Sequence, residues 1–244
     1  MSLPKLAVTK HKLILPSTGE EILYRPFLVK EEKILMMALQ GQDTVDVVQA
    51  LRDVVESCVE SNIDIKKLTM FDIEYVFLQL RARSVGEEIE LNYNLENDPC
   101  DKLMNANCSY YVKLKVDEIQ VERDKNHKDL IDITDKIKVK MKYPKIEESS
   151  RFAGLQGKEL VDKTFEMVGN SIEYIMDGEE MHQTKDYTQA EKDEFVQSLS
   201  SGQFREIQNF FNTMPKLSKK VVGECQSCGK KNERVLEGMA SFFV

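Results

Sequence analysis

The one stretch of this 244-residue chain with explicit ligand chemistry is Cys225-Gln-Ser-Cys228-Gly229. Two thiols at that spacing, with a glycine relieving the backbone after the second, form the knuckle that supplies half of a tetrahedral zinc site. A closed structural site takes four ligands, and no second C-x-x-C occurs. The candidates to complete it are Cys100 and Cys108, set at the tip of an expected hairpin, although their separation is wider than a knuckle's. Three readings stay open: a tight turn carrying two free thiols, half of a structural zinc site, or a redox pair. The last fits least well, because a redox C-x-x-C opens a helix after a strand, whereas Lys230-Lys231-Asn232 reads as a hairpin turn. Five cysteines, an odd and unevenly spaced set behind an N-terminus without a signal-peptide pattern, argue against a disulfide framework.

Other chemistry is poorly supported. His11, His127 and His182 are isolated from one another and from any serine or cysteine placed as a nucleophile. Glu147-Glu148 and Glu179-Glu180 are adjacent, so on a helix they point apart and make poor acid/base partners. A non-enzyme is expected. The formal charge of -8 repels a phosphate backbone unless a basic face is segregated, and the lysines of 136–145 and 216–220 are surrounded by carboxylates. Nucleic acid is therefore not expected as a partner, and neither is a membrane, since no apolar run reaches the roughly 18 residues of a spanning helix. With 41% hydrophobic and 31% charged residues the chain reads as a soluble globular protein that stays in the cytosol.

Several elements must position these groups. Leu15-Pro-Ser-Thr-Gly19 spells a cell-wall sorting pentapeptide, but such a signal lies near a C-terminus ahead of an apolar span, and here charged residues follow. Flanked by extended runs at 11–16 and 20–25, it reads as a hairpin turn with Gly19 at the position needing positive φ. Helical spacing then begins at Val29 and, after Gly41, resumes through Val47 to Val59. A third helix over 68–83 has Thr69 as N-cap and Asp72 as a near match to the capping box, and it is apolar nearly all round. Period-two alternation predicts strands over 88–95 and 111–121, paired as a hairpin, and a third strand over 137–143 in the same sheet. Helical spacing returns over 159–176, 189–199 and 202–213, and two short strands frame the Cys-x-x-Cys. The fold class is α+β, read as an N-terminal hairpin and helices (1–86), an antiparallel β region (87–149), a helical region (150–216), and a Cys-x-x-Cys hairpin with an apolar tail (217–244).

Leu15-Pro-Ser-Thr-Gly19, Tyr24-Arg-Pro-Phe-Leu-Val-Lys-Glu-Glu-Lys-Ile-Leu35, Phe71-Asp-Ile-Glu-Tyr75, Leu80-Arg81, Ser84-Val-Gly86, the closing Cys-x-x-Cys, Gly238 and Phe242-Phe243 together resemble the baseplate hub proteins of T-even-like contractile-tailed bacteriophages. The resemblance implies a protein made in the host cytoplasm that helps to build the baseplate hub, as a virion component or as an assembly chaperone, with other tail proteins as partners and no catalytic residues. The expected contact regions are Arg25, Phe27, Lys30 and Glu31 at the start of the first helix, and the terminal Phe242 and Phe243. The rival reading is a zinc-ribbon nucleic-acid-binding or transcription-related factor, suggested by the Cys-x-x-Cys with Lys219-Lys220 and Lys230-Lys231.

Overall fold

The structure, a computed structural model, describes residues 7–41, 44–103, 105–150 and 155–242. Strands β1 (His11–Ile14) and β2 (Glu21–Tyr24) pair antiparallel from His11↔Tyr24 to Ile14↔Glu21. Their turn closes where the Gly19 N–H donates to the Leu15 carbonyl at 2.9 Å, with Gly19 at φ +73°, a conformation that costs a residue without Cβ little. Leu15, Ile22 and Tyr24 face inward against helices α1 (Val29–Gly41), α2 (Thr44–Cys58) and α3 (Met70–Ser84), joining Val54, Val55, Val76 and Leu80 in a first core.

The start of α3 is a complete capping box, with Thr69 Oγ1 2.6 Å from Asp72 Oδ2 and main-chain donors paired in both directions. Aspartate serves here although its side chain is shorter than the usual glutamate, because the carboxyl is fully buried against Thr69. Asp72 Oδ1 also accepts the Ser17 N–H at 3.0 Å, so the helix start anchors the β1–β2 corner. The apolar girth of α3 has a sharper meaning than centrality. It is a wall between two cores: Ile73, Val76, Phe77 and Leu80 serve the first, while Leu78 and Ala82 serve the second.

That second core lies under a larger sheet. Strands β3 (Glu88–Pro99) and β4 (Asn107–Lys115) form the expected hairpin, but the run to Val121 does not continue as one strand. A 3₁₀ turn at Val116–Glu118 redirects the chain into β5 (Gln120–Glu122), where the alternation slips. Next come β6 (Leu130–Asp132), β7 (Ile137–Met141), a short helix α4 (Ile146–Ser150), α5 (Gly157–Asn170), β8 (Ile172–Asp177), β9 (Glu180–Gln183), α6 (Gln189–Ser198) and α7 (Ser201–Asn212). The last two strands, β10 (Lys216–Cys225) and β11 (Lys231–Glu237), return to β4. The sheet orders are β11-β10-β4-β3, with β5 also on β10, and β6-β7-β8-β9.

Two expectations are thereby corrected. The strand at 137–143 does not extend the β3–β4 sheet; it belongs to the β6–β9 sheet, because alternation specifies which face is buried but not which strand lies alongside. The single helix expected over 159–176 ends at Asn170, and 172–177 is a strand, so strands lie within 150–216. Val168, Ile172 and Ile175 fall at helical spacing of four and three, whereas a regular strand would put Ile172 and Ile175 on opposite faces. The register of β8 shifts between the partners Lys140 and Met141, leaving Glu173 as an extra residue, and all three apolar side chains join the third core, with α5–α7 packed on the sheet. Phe71 meets Tyr143 edge-on at 5.3 Å, and Tyr143 stacks on Phe210 at 5.6 Å, linking this unit to α3.

Candidate metal centre

Cys108 lies on the inward face of β4, in step with Tyr110, Val112 and Leu114, and Cys225 ends the inward series Val221, Gly223, Cys225 of β10. The two strands meet at Cys225↔Tyr110 and Glu224↔Tyr111, which brings both hairpin tips to one end of the sheet. At the first tip the Cys100 N–H donates to the Ala106 carbonyl at 2.9 Å, and Asn105, at φ 67°, helps to reverse the chain. This loop draws Cys100 back onto Cys108 across seven intervening residues, so a wide spacing in sequence becomes a close one in space. At the second tip the Gly229 N–H donates to the Cys225 carbonyl at 2.8 Å, and Gly229 takes the positive φ of +77° that lets Cys228 fold back.

The result is one cluster. The Sγ atoms of Cys100, Cys108, Cys225 and Cys228 all lie within 4.8 Å of one another, the Cys108 and Cys228 sulfurs being 3.4 Å apart. All four are free thiols, three of them buried and Cys228 partly exposed. The main-chain N–H groups of Cys228 and then Ser227 donate to the Cys225 sulfur and pull its pKa well down, while burial followed by hydrogen bonding to Cys228 pushes Cys108 up. Such a set can hold a soft divalent cation.

The surrounding groups were not singled out by sequence reasoning. Tyr110 donates its hydroxyl to Asp98, and Lys230 pairs with the same carboxylate. Tyr93 stacks on Tyr110 at 5.5 Å and carries the Arg234 guanidinium over its ring at 5.0 Å. Gly223 permits this packing, since a Cβ there would sit 2.6 Å from the Tyr93 hydroxyl and 2.9 Å from Tyr110 Cβ. Strand parity was the available signal, because it places Cys108 beside Tyr110 and Cys225 beside Gly223 on buried faces.

The expected partner-contact residues fall out differently. Glu31 is 1% exposed. It accepts from Arg25 Nη2 at 2.9 Å and from the Leu28 N–H at 2.9 Å, and Arg25 also donates to the Pro26 and Ser57 carbonyls. Burial alone would raise Glu31, but Arg25, the Leu28 N–H and Lys30 outweigh it and hold the carboxyl below its ordinary range. Arg25 and Glu31 thus form an internal lock, not a contact surface. Phe27 is half-buried and stacks on Phe77, Lys30 is exposed, and Phe242 is buried in the second core. Phe243 lies outside the described residues.

His127 packs against the rings of both Tyr143 and Phe210, which also touch each other. Thr213 donates its hydroxyl to the Asn209 carbonyl at 2.6 Å, so its oxygen is left to accept from His127 Nδ1–H, and Nε2 accepts from the Tyr143 hydroxyl, each at 3.0 Å. This histidine is a structural joint.

Fold and cluster together describe an α+β protein with four cysteine sulfurs gathered at one end of its largest sheet. The family described as T4 bacteriophage base plate protein matches residues 8–244, and the chain belongs to that family. No curated protein and no solved structure matches it.

Proposed function

We propose that this baseplate-family chain works as a non-enzymatic component of the baseplate hub, or as a factor that assembles the hub, through protein–protein contacts first in the host cytoplasm and then in the tail. The observation that carries the contact reading is the outward face of α1, where Val29 (79% exposed), Met36 (56%) and Met37 (62%) share one stripe. Ile14 and Leu23 add exposed apolar surface on the neighbouring hairpin. Apolar side chains gathered in this way mark an interaction site, and flexible methionines suit a surface that must fit a partner. The family makes other tail proteins the natural occupants.

The basic clusters give a nucleic-acid role little to work with. Lys138 pairs with Asp132, Lys140 with Asp129, Lys219 with Glu118 and Lys220 with Glu233. Among the described residues no helix is long and apolar enough to cross a membrane. Capture from infected cells with the tagged chain tests the proposal: baseplate proteins should be recovered, and Met36→Glu with Met37→Glu should cut recovery at least tenfold while leaving the thermal transition in place. Presence in finished particles would mark a component, and presence only in assembly intermediates a factor. Tight DNA binding that falls steeply with salt, with no tail protein recovered, would overturn it.

A further inference from the structure

The described residues hold four thiols in one cluster, and nothing in the fold's hydrogen bonding explains why four sulfurs should converge. We propose that Cys100, Cys108, Cys225 and Cys228 bind a single zinc ion as a closed tetrathiolate that fastens the β3–β4 hairpin tip to the β10–β11 tip. The argument is geometric. With zinc–sulfur bonds of about 2.3 Å, the sulfurs of a tetrahedral site stand roughly 3.8 Å apart. The observed set, mutually within 4.8 Å and 3.4 Å at the Cys108–Cys228 pair, surrounds a point that such an ion would occupy after small side-chain shifts. A disulfide would need two sulfurs at about 2.05 Å, and a four-iron cluster needs its sulfurs spread well beyond this distance.

The supporting shell matches the ion. Main-chain N–H groups of Ser227 and Cys228 already point at the Cys225 sulfur, the arrangement a knuckle needs to hold a thiolate. Four thiolates on one divalent ion leave two negative charges, and the Lys230–Asp98 ion pair lies at the edge of the cluster, where Asp98 also accepts the Tyr110 hydroxyl. Four protein ligands leave no open position, so the site is structural. Its place in the sheet gives it something to fasten: β4 and β10 are joined in register at only Glu224↔Tyr111 and Cys225↔Tyr110, and the sulfurs lie directly beyond this short seam.

The test is metal analysis of the full chain purified without chelator, joined to X-ray absorption at the zinc edge. The proposal expects about one zinc per chain with four sulfur neighbours near 2.3 Å. Cys108→Ser should reduce zinc at least tenfold; since that buried change could also harm folding, Cys228→Ser, at the partly exposed ligand, should lose zinc while the α-helical circular dichroism persists. Cys58→Ala, away from the cluster, should keep a full complement. Cobalt added to the stripped protein should give the visible bands of a tetrahedral thiolate site. Chain that takes up no zinc when supplied with it, bound iron instead, a native Cys108–Cys228 disulfide, or oxygen and nitrogen neighbours in the absorption spectrum would each overturn the proposal.

Discussion

At the scale of the residue, the Tyr24-to-Leu35 block does structural work. Arg25 holds Glu31, two main-chain carbonyls and the Cys58 sulfur, at 3.6 Å, so its guanidinium gathers β2, α1 and the end of α2. Arg25→Ala leaves a buried carboxylate without its principal partner and is expected to cost roughly 3 kcal/mol in urea unfolding, with Arg25→Lys restoring only part because the fork is lost. Glu31 also sets an acid limit. Its folded carboxyl titrates below the unfolded value of 4.5, so its contribution is complete above that pH and is lost as the pH falls through the lower folded value. Unfolding curves of wild type and Glu31→Gln should accordingly converge below pH 4.5. His127 behaves alike at higher pH: burial first, then Arg123, hold it below 6.5, and protonating Nε2 removes the acceptor for Tyr143. Its ring proton should titrate below 6.5 by NMR, and the stability it lends should be full above that pH and decline as the pH drops through the measured value.

At the scale of the element, α3 and the hairpin corner depend on one carboxyl. Asp72→Ala removes the acceptor of the Ser17 N–H, the Thr69 N–H and the Thr69 hydroxyl together, and is expected to destabilise by about 2 to 4 kcal/mol. Faster amide exchange at Ser17 as well as at the first turn of α3 would show that the two elements share this anchor; exchange altered only in the helix would show that they do not. The corner, α1, α3 and the β3–β4 hairpin were legible in sequence because each carries one unambiguous period or turn residue. The α5–β8 change was not, since Val168, Ile172 and Ile175 keep helical spacing across it and the extra residue in β8 hides the alternation of the strand. Nor was the use of Asp72 by Ser17, because no local pattern announces a bond between residues 55 apart.

For the whole molecule, composition and pattern established the α+β class, and the match over 8–244 assigns the chain to the T4 bacteriophage base plate protein family. What stayed hidden was long-range: which strand lies beside β4; that Cys100 and Cys108 meet Cys225 and Cys228 was in sequence only one candidate among three readings. Sequence displayed the four sulfurs and the Cys-x-x-Cys turn but not the shared sheet end, since pairing between distant strands depends on the complete fold.

That strand order has a consequence for synthesis. β4 leaves the ribosome far ahead of β10, and Cys108 precedes Cys228 by 120 residues. At bacterial elongation rates of about 5 to 20 residues per second, the hairpin waits roughly 6 to 24 s with its β4 edge unpaired. Leu217, Val221, Leu236 and Phe242, which complete the core beneath it, arrive only with the last strands. A polypeptide cut short before residue 216 therefore keeps an open edge and an unfilled core, the state most prone to aggregate.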